Sequence, residues 1–379
     1  MKKIKRILII SGTRPEAIKL APLYLALKEQ KNAKVYYCHT GQHKELASEV
    51  YDFFGIPIDF SLDALGNSNS LPEMTAYLIK ALEKIVSQIE PDLLIVHGDT
   101  NSTLSGALVG FHLKVPVAHI EAGLRSFDLE SPWPEEMNRR TVAILSKYHF
   151  APTQREKNNL LQEGVPGDNI YVVGNTVIDA LLSAKRKMDL DFYQRNMESK
   201  FPMINFDKSL ILFTGHRREN FDGGLKSILN GLQDILAFRT DVEVIFPAHL
   251  NPKVHEAINS LLNRESGLHI LPHLRYDEFI FFMNAAKLIV TDSGGIQEEA
   301  PSLKKPVLVV RQTTERQEMM DAGGLKLIGV DRQKLFDQVN LLFDDHLQYE
   351  AMQIESNPYG DGNAASKIAD ILSVIDFDN

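Results

Sequence analysis

The segment from Ile120 to Arg140, IEAGLRSFDLESPWPEEMNRR, places five carboxylates close to three arginines. Carboxylates beside cations suit acid–base catalysis, because a neighbouring charge or a buried position tunes the proton affinity of each group. Glu121 follows the end of an apolar run, and Glu135 precedes a helical pattern. Trp133, the only Trp in the chain, lies between two prolines and predicts a stiff loop that would brace such groups.

The alternative interpretation of this segment is a solvated helix start, because carboxylates are favoured in the first turn of a helix. That alternative accounts well for Glu136 and less well for a Trp and two prolines at the same place. No His-x-x-x-His pattern or Cys cluster accompanies the carboxylates, so the sequence does not indicate a zinc site. Carboxylates alone leave a Mg²⁺ site open.

Two further acid–base candidates follow apolar runs. Asp99 comes two residues after His97, and at the tip of a strand an apolar surrounding raises the pKa of a carboxyl group. The alternative role for Asp99 is the N-cap of a helix that begins at Thr100. His216, in GHRREN, suits proton transfer or a phosphate contact, and the alternative is a charged surface loop.

Two segments have the composition of anion-binding turns. In DSGGIQEEAPS, Ser293, Gly294 and Gly295 let the backbone approach a phosphate at a helix start, and Glu299 can accept hydrogen bonds from ribose. In SGTRPEAIKLAP, Arg14 and Lys19 are both placed to reach an anion. The alternatives are a plain strand–helix turn and an exposed basic pair. Neither segment reads GxGxxG, so no nicotinamide cofactor is indicated.

Short apolar runs alternate with helical patterns along the whole chain, which predicts an α/β fold with doubly wound parallel sheets. About six such units on each side of residue ~175 predict two Rossmann-like domains. Ligands bind at the carboxyl ends of parallel strands, and the polar motifs follow those ends in both halves. We therefore expect the active site in a cleft between two domains. The predicted strands are Arg6–Ile10, Lys34–His39, Asp92–His97, Pro116–Ile120, Tyr148–Ala151, Ile170–Val173, Leu210–Thr214, Glu243–Pro247, Leu268–Leu271, Leu288–Thr291, Val307–Val310 and Leu327–Val330.

Composition narrows the class of protein. The 379 residues carry a net charge of −9, which argues against a general nucleic-acid or membrane-surface binder. A single cysteine, Cys38, gives no disulfide framework and fits a reducing compartment. The apolar run after the basic start is too short for a signal peptide, and no apolar stretch approaches the ~20 residues that cross a bilayer. We predict a cytoplasmic enzyme or binding protein.

Taken together and in order, the motifs resemble the non-hydrolysing UDP-N-acetylglucosamine (UDP-GlcNAc) 2-epimerases over essentially the whole chain. The resemblance rests on GTRPEAIKLAPL, GQHKE, VHGDTNSTL, VPVAHIEAGLRS, SPWPEEMNRR, VVGNTVIDALL, TGHRREN, PAHLNP, TDSGGIQEEAPSLKKPVLVVR, TTER and NPYGDG. It implies two Rossmann-like domains in a glycosyltransferase-B-like arrangement. The first would comprise residues 1–174 with a final helix at 363–379, and the second, UDP-binding domain residues 175–362.

The resemblance also implies an activity. Members interconvert UDP-GlcNAc and UDP-ManNAc without an added cofactor, by eliminating UDP to give 2-acetamidoglucal and adding it back, and they usually work as homodimers. Carried over by motif, Asp99, Glu121 and Glu135 become the acid–base carboxylates, and His216 contacts the leaving diphosphate. The implied substrate-binding residues are Arg14, Lys19, Leu274, Phe279, Ser293, Gly294, Gly295, Glu299 and Arg316.

The sequence departs from the family pattern at three places. Gln317 stands where Pro is usual, and Gln312 where an acid is common. Gln42 and His43 match a pocket that binds a second UDP-GlcNAc as an activator, but the neighbouring stretch 68–71 has no Arg.

Three other functions compete with the reversible epimerase. A hydrolysing relative would release free ManNAc and UDP, and the HGDT and SPWPEE motifs disfavour it. A glycosyltransferase of the same fold would need an acceptor, and the strand-tip carboxylates of the first half argue against it. A sugar-nucleotide sensor would not need the full set of acid–base residues. We expect the product to serve surface polysaccharide precursor synthesis.

Overall fold

The computed structural model describes residues 4–42, 44–188, 191–215, 217, 220–221, 223–248, 252–259 and 267–377. The chain divides into two compact units. Unit 1 comprises residues 1–180 and 359–379, and unit 2 comprises residues 181–358. The predicted α/β class and the two parallel-sheet domains are confirmed. The boundaries near 174 and 362 stay predictions.

Unit 1 is built on a seven-stranded parallel sheet of order β3-β2-β1-β4-β5-β6-β7. Its strands are β1 Lys5–Ser11, β2 Ala33–His39, β3 Phe60–Ser61, β4 Leu93–His97, β5 Val117–Ile120, β6 Tyr148–Ala151 and β7 Ile170–Val172. Its helices are α1 Arg14–Lys28, α2 Lys44–Phe54, α3 Leu71–Ile89, α4 Asn101–His112, α5 Glu135–Leu145, α6 Gln154–Gln162, the start of α7 Thr176–Met188, and α16 Ala364–Val374, with a 3₁₀ turn at Gly167–Asn169.

Unit 2 contains a six-stranded parallel sheet of order β10-β9-β8-β11-β12-β13. Its strands are β8 Ser209–Thr214, β9 Val242–Pro247, β10 Leu268–Leu271, β11 Leu288–Thr291, β12 Val307–Val309 and β13 Leu325–Leu327. Its helices are α8 Asp191–Lys200, α9 Gly224–Phe238, α10 Pro252–Asn259, α11 Tyr276–Ala285, α12 Gly294–Glu299, α13 Gln317–Asp321, α14 Arg332–Asp344 and α15 His346–Ala351, with a 3₁₀ turn at Ala300–Leu303.

Both strand orders place the first strand of the unit beside the fourth, the arrangement that creates a ligand crevice at the switch point of a doubly wound sheet. The central strands are apolar and buried on both faces, as in β4 (LLIVH) and β11 (LIVT). This continuous burial explains why the runs were visible in the sequence.

The last predicted strand, Leu327–Val330, is wrong: the observed strand begins two residues earlier and ends three residues earlier. The strand is Leu325–Leu327, and it ends before Gly329, whose φ of +68° is incompatible with extended pairing. β3 was not predicted, because two residues give no readable alternation. Within the described ranges, no helix is long and apolar enough to cross a membrane.

Helix α16 is fixed in unit 1 by a charged residue at each end. Asp179 accepts backbone N–H groups of Ala364 (3.2 Å) and Ala365 (2.8 Å) at its first turn. The Lys5 ammonium donates to the carbonyls of Leu372, Ser373 and Ile375 at its last turn, at 2.6–2.9 Å. Each charge has the sign that stabilises that end of a helix.

We expect Asp179→Ala to lower the stability of the chain by about 1–2 kcal/mol, because it removes the acceptor of two helix-terminal N–H groups. Burial raises the pKa of Asp179 to about 6, so the carboxylate is ionised at pH 7.5. Thermal unfolding at that pH should show a lower midpoint for Asp179→Ala, and Asp179→Asn, which keeps one acceptor, should fall between. An unchanged midpoint in both variants would show that α16 is held by its apolar face alone.

Candidate functional site

A cavity of about 470 Å³ lies in unit 1 at the carboxyl ends of β1, β4 and β5. The predicted carboxylates Asp99, Glu121 and Glu135 all line it, together with Lys19 and Gln42. The remaining lining residues are Thr13, Pro15, Glu16, Leu71, His97, Gly98, Thr100, Asn101, Pro134 and Asn138. The prediction that the motifs of the first half gather at one sheet edge is therefore confirmed for this unit.

Glu121 is held by two donors on one oxygen. It follows β5 with a φ of +60°, a strained conformation for a residue with a side chain. Its Oε2 accepts a hydrogen bond from the Lys19 ammonium and one from Asn175 Nδ2 at 2.9 Å, and His97 Nε2 lies 3.8 Å away. Burial opposes ionisation, but the Lys19 charge and these donors outweigh it, so the pKa of Glu121 is lowered. The Glu121 side chain is thus a carboxylate at neutral pH.

The pKa of Asp99 is shifted in the opposite direction from that of Glu121. Burial raises the pKa of its carboxyl group, the Arg139 guanidinium at 2.6 Å lowers it, and the nearby carboxylates of Glu121 and Glu135 raise it further. The pKa of Asp99 is therefore raised above its ordinary value. The alternative role of Asp99 as an N-cap is wrong, because Thr100 caps α4 by accepting the Thr103 N–H. Two carboxyl groups with opposed pKa shifts face one cavity, which is the arrangement that separates an acid from a base.

Glu136, next to Glu135 at the start of α5, is fully buried. Its two oxygens accept the backbone N–H groups of Ser126 (3.0 Å) and Phe127 (3.1 Å), and Arg139 Nη1 lies 3.5 Å away. The interpretation of Glu136 as a solvated helix-start residue is therefore wrong. Trp133 does not brace the site by packing either, because it is 64% exposed. Glu136 instead holds the loop after β5 and contacts Arg139, the partner of Asp99.

Glu16 was not singled out from the sequence, yet it connects two loops of the site. Its Oε2 accepts the N–H groups of Gly12 and Thr13 and the Thr13 hydroxyl, at 2.7–3.0 Å. Its Oε1 accepts the hydroxyls of Thr100 (2.8 Å) and Thr103 (3.1 Å). The loop after β1 is thereby joined to the loop that carries Asp99. The capping-box spacing of Thr13 and Glu16 was the signal that would have found it.

Gly12 makes the close approach of these two loops possible. A Cβ built at this position would lie 2.0 Å from Ser102 Oγ and 2.5 Å from Thr40 Oγ1. Ser102 in turn donates to Gln42 Oε1 at 3.0 Å, which places the amide of Gln42 at the cavity wall. Arg14 is the first residue of α1, but the cavity is lined by its neighbours Thr13 and Pro15 rather than by Arg14 itself. His43 and His216 lie outside the described residues.

In unit 2, several predicted phosphate- and ribose-binding residues lie together after β11. A Cβ at Gly294 would lie 3.2 Å from Arg316 Nη2, and a Cβ at Gly295 would lie 3.5 Å from a carboxylate oxygen of Glu299. Arg316 is held by Glu298, whose Oε1 accepts from its Nε at 2.7 Å. Ser293, which precedes Gly294, is the N-cap residue of α12. Gly294 and Gly295 therefore leave the backbone accessible beside the guanidinium of Arg316, whose orientation is fixed by Glu298.

Asp292 and Glu298 support this group and were missed from the sequence. Asp292 is fully buried and accepts the Arg217 N–H at 2.9 Å and Asn220 Nδ2 at 3.1 Å, which ties the segment after β8 to the end of β11. Leu274 precedes α11 and Phe279 lies in its first turn; both follow the edge strand β10, which is three strands from β11 in the sheet. Their contact with uracil stays a prediction. No cluster of three or more metal-ligating side chains occurs in the described part of the chain.

Buried histidines around the site make stability depend on pH. His119, on β5, is fully buried; its Nε2 bonds the Gly98 carbonyl at 2.8 Å, and its Nδ1 has no partner among the described residues. Burial lowers the pKa of His119 to about 3, against about 6.5 in the unfolded chain. The unfolded state thus binds a proton that the folded state does not, and stability falls as pH falls below 6.5.

We expect His119 alone to lower the free energy of unfolding by about 1.4 kcal/mol for each unit by which pH falls between pH 6 and pH 4.5. His119→Gln, which keeps a donor for the Gly98 carbonyl, should lose stability less steeply than the wild type in urea titrations across that range. His112→Gln, at an exposed position, is the control and should follow the wild-type slope. Equal slopes for all three proteins would contradict the assignment of His119 as a buried neutral group.

Comparisons with known proteins agree on one family. A family model described as UDP-N-acetylglucosamine 2-epimerase matches residues 25–373. The UDP-N-acetylglucosamine 2-epimerase of Escherichia coli (strain K12) is 44% identical over 368 residues, covering 97% of this chain and 98% of that protein. Among solved structures, the UDP-GlcNAc 2-epimerase of Neisseria meningitidis bound to UDP-GlcNAc superposes with a TM-score of 0.90 at 42% identity, over 97% of this chain and 99% of that one. The S. aureus MnaA–UDP structure gives 0.85 at 40% identity, over 98% of each chain.

Proposed function

Because the chain belongs to the UDP-N-acetylglucosamine 2-epimerase family, we propose that it is an isomerase that inverts C2 of UDP-GlcNAc to give UDP-ManNAc, and the reverse. The observation that carries this proposal is the cavity of unit 1, where Asp99, Glu121 and Glu135 meet around Lys19. Inversion at C2 needs proton transfer on both faces of one carbon. Asp99 and Glu121, whose pKa values are shifted in opposite directions in one cavity, supply an acid and a base partner.

The proton at C2 of the sugar is not acidic, so the proposed route avoids a free carbanion. A carboxylate removes the C2 proton, the bond between C1 and the diphosphate oxygen breaks, and a C1=C2 double bond forms. UDP leaves with the electron pair of the broken bond and is held beside 2-acetamidoglucal. Return of UDP to C1, with a proton delivered to the opposite face of C2, completes the inversion and restores every atom. The ionised Glu121 serves as a base in this scheme, and the less acidic Asp99 serves as an acid.

Unit 2 is proposed to bind the UDP part. Ser293, Gly294 and Gly295 offer backbone to the diphosphate, and Arg316, oriented by Glu298, supplies positive charge to it. Glu299 is proposed to bind the ribose, and Leu274 and Phe279 the uracil. His216 remains a proposed diphosphate contact, and Arg14 a proposed orienting residue. Gln42, at the wall of the same cavity as Glu121, supports a proposed activator position shared with His43.

A homodimer is part of the proposal. Helices α4 and α5 of unit 1 present apolar side chains to solvent, among them Phe111 (59% exposed) and Ile144 (82% exposed). Apolar side chains exposed on adjacent helices favour association with a second copy. A cytoplasmic location and a role in surface polysaccharide precursor synthesis complete the proposal; the single cysteine supports the location, because it fits a reducing compartment.

The test is proton NMR of the purified chain with UDP-GlcNAc in D₂O. The expected result is UDP-ManNAc, with deuterium at C2 of both isomers and no free sugar. Free ManNAc with UDP would replace the proposal by a hydrolysing relative. Binding of UDP-GlcNAc without any turnover or exchange would contradict epimerase activity on this sugar.

A further inference from the structure

Asn175 is a buried amide between β7 and α7 whose orientation is fixed by its own contacts. Its Oδ1 accepts the Val177 N–H at 3.1 Å, and its backbone N–H donates to the Tyr359 carbonyl at 2.6 Å. Since a backbone N–H is only a donor, the oxygen of the amide must face Val177. The Nδ2 group must then face Glu121, where it donates to Oε2 at 2.9 Å.

The position of this amide is defined by the backbone on both sides. A Cβ at the preceding residue, Gly174, would lie 3.3 Å from the Cα of Gly360, so the two segments are in close contact there. Gly174 has a φ of +97°, which a residue with a side chain rarely adopts. The chain therefore presents the Asn175 side chain to Glu121 from a rigid support within unit 1.

The two donors on Glu121 use the same oxygen. Lys19 Nζ and Asn175 Nδ2 both bind Oε2. A carboxylate oxygen has two lone-pair sites, so two donors occupy Oε2 fully. The lone pairs of Oε1 are left as the position for a transferred proton.

We propose that Asn175 is a positioning residue for catalysis: together with Lys19 it engages Oε2 of Glu121, so that Oε1 is the oxygen that takes and returns the substrate proton. This inference rests on the proposed function of Glu121 as a proton-transfer group. The charged or titratable groups around Glu121 are Lys19 from α1, His97 from β4 and Asp99 after β4.

Asn175→Asp separates the two roles of the side chain. Aspartate keeps an oxygen for the Val177 N–H, so the start of α7 is preserved, but it replaces the donor to Glu121 by a second carboxylate. A neighbouring like charge raises the pKa of a carboxyl group. We expect kcat at pH 7 to fall about 100-fold and the acid limb of the kcat profile to move up by at least ~1 pH unit, with KM changed less than about threefold.

Asn175→Ser provides the uncharged comparison. Serine can cap α7 but does not reach Glu121 as a donor, so we expect a smaller upward shift of the acid limb and a fall in kcat of about tenfold. Asn363→Asp is the matched control, because Asn363 is the exposed N-cap residue of α16 in the same unit. It should leave kcat and the profile unchanged.

The measurement is the pH dependence of C2 deuterium incorporation at saturating UDP-GlcNAc, with circular dichroism to establish folding of each variant. Exchange by the wild type is required first, and its absence would count against the proposed function rather than against Asn175. If the wild type exchanges and folded Asn175→Asp and Asn175→Ser lose rate without any shift of the acid limb, Asn175 has only a structural role and the inference fails. Should Asn175→Asp not fold, the shift in Asn175→Ser decides in the same way.

Discussion

Replacement of Glu121 by Gln should reduce the rate of C2 proton exchange by about 10³-fold, while UDP binding stays within about twofold of the wild type. Glutamine has nearly the same shape, but its amide neither takes nor returns a proton under these conditions, and acid–base groups of this kind contribute about 10²–10⁴ in rate. UDP binding is proposed to depend on unit 2, which the substitution does not touch. Exchange is measured by proton NMR in D₂O and UDP affinity by titration calorimetry.

Asp99→Asn is the companion variant and should show the same loss of exchange, because it removes the second carboxyl group with a shifted pKa. Glu130→Gln is the control. Glu130 lies in the loop between Glu121 and Glu135, but its side chain is exposed. Its replacement therefore changes the net charge by the same amount as the other two substitutions without affecting the cavity. If both Glu121→Gln and Asp99→Asn retained exchange, the assignment of these carboxyl groups to proton transfer would be removed.

The second large effect is expected from Glu136→Ala, at a position that does not line the cavity. The substitution removes the acceptor of two backbone N–H groups and a partner of Arg139 in a buried place. Removing one partner from a buried ionic network costs about 3–5 kcal/mol. We expect the chain to lose about 3 kcal/mol of stability, and C2 exchange to fall about 100-fold because Arg139 no longer holds Asp99 in place.

The loop itself gives the more specific readout of this variant. Phe127 and Leu129 are exposed sites for chymotrypsin in the segment that Glu136 holds. Glu136→Ala should be cleaved there faster than the wild type, and Glu136→Gln, whose single oxygen accepts only one of the two N–H groups, should be intermediate. Glu130→Gln again serves as the control. Unchanged cleavage in Glu136→Ala would show that the loop is held by other contacts.

The sequence predicted the α/β class, two parallel-sheet domains and the family, and all three are confirmed. The physical reason is that strands buried on both faces, such as β4 and β11, appear as unbroken apolar runs with polar motifs directly after them. Parallel strands bring those motifs to one edge. The sequence therefore predicts Asp99 and Glu121 at one sheet edge, whereas the ion pair between Lys19 and Glu121 was not predicted, because Lys19 was interpreted as an anion-binding residue.

The predictions for Glu136 and Trp133 were wrong because they used only the residues next to them in the sequence. Glu136 follows the pattern of a solvated helix start, and nothing nearby in sequence shows that the N–H groups of Ser126 and Phe127 turn back to it, ten and nine residues away. Trp133 between two prolines suggests a braced loop, yet its side chain is exposed. Local composition fixes which residues are polar, but burial depends on how the loop folds over the sheet.

Only the tertiary structure identified the buried polar residues that support the site. Glu16 accepts a hydrogen bond from the hydroxyl of Thr100, which is 84 residues away in the sequence. Asn175 donates a hydrogen bond to Glu121, which is 54 residues away. Periodicity and motif spacing report on neighbours within a few turns, whereas these contacts exist because β1, β4 and β5 end side by side with the segment that precedes α7. Buried polar groups are almost always hydrogen-bonded. Which distant residue serves as the partner depends on the order of the strands in the sheet, and the local sequence does not show it.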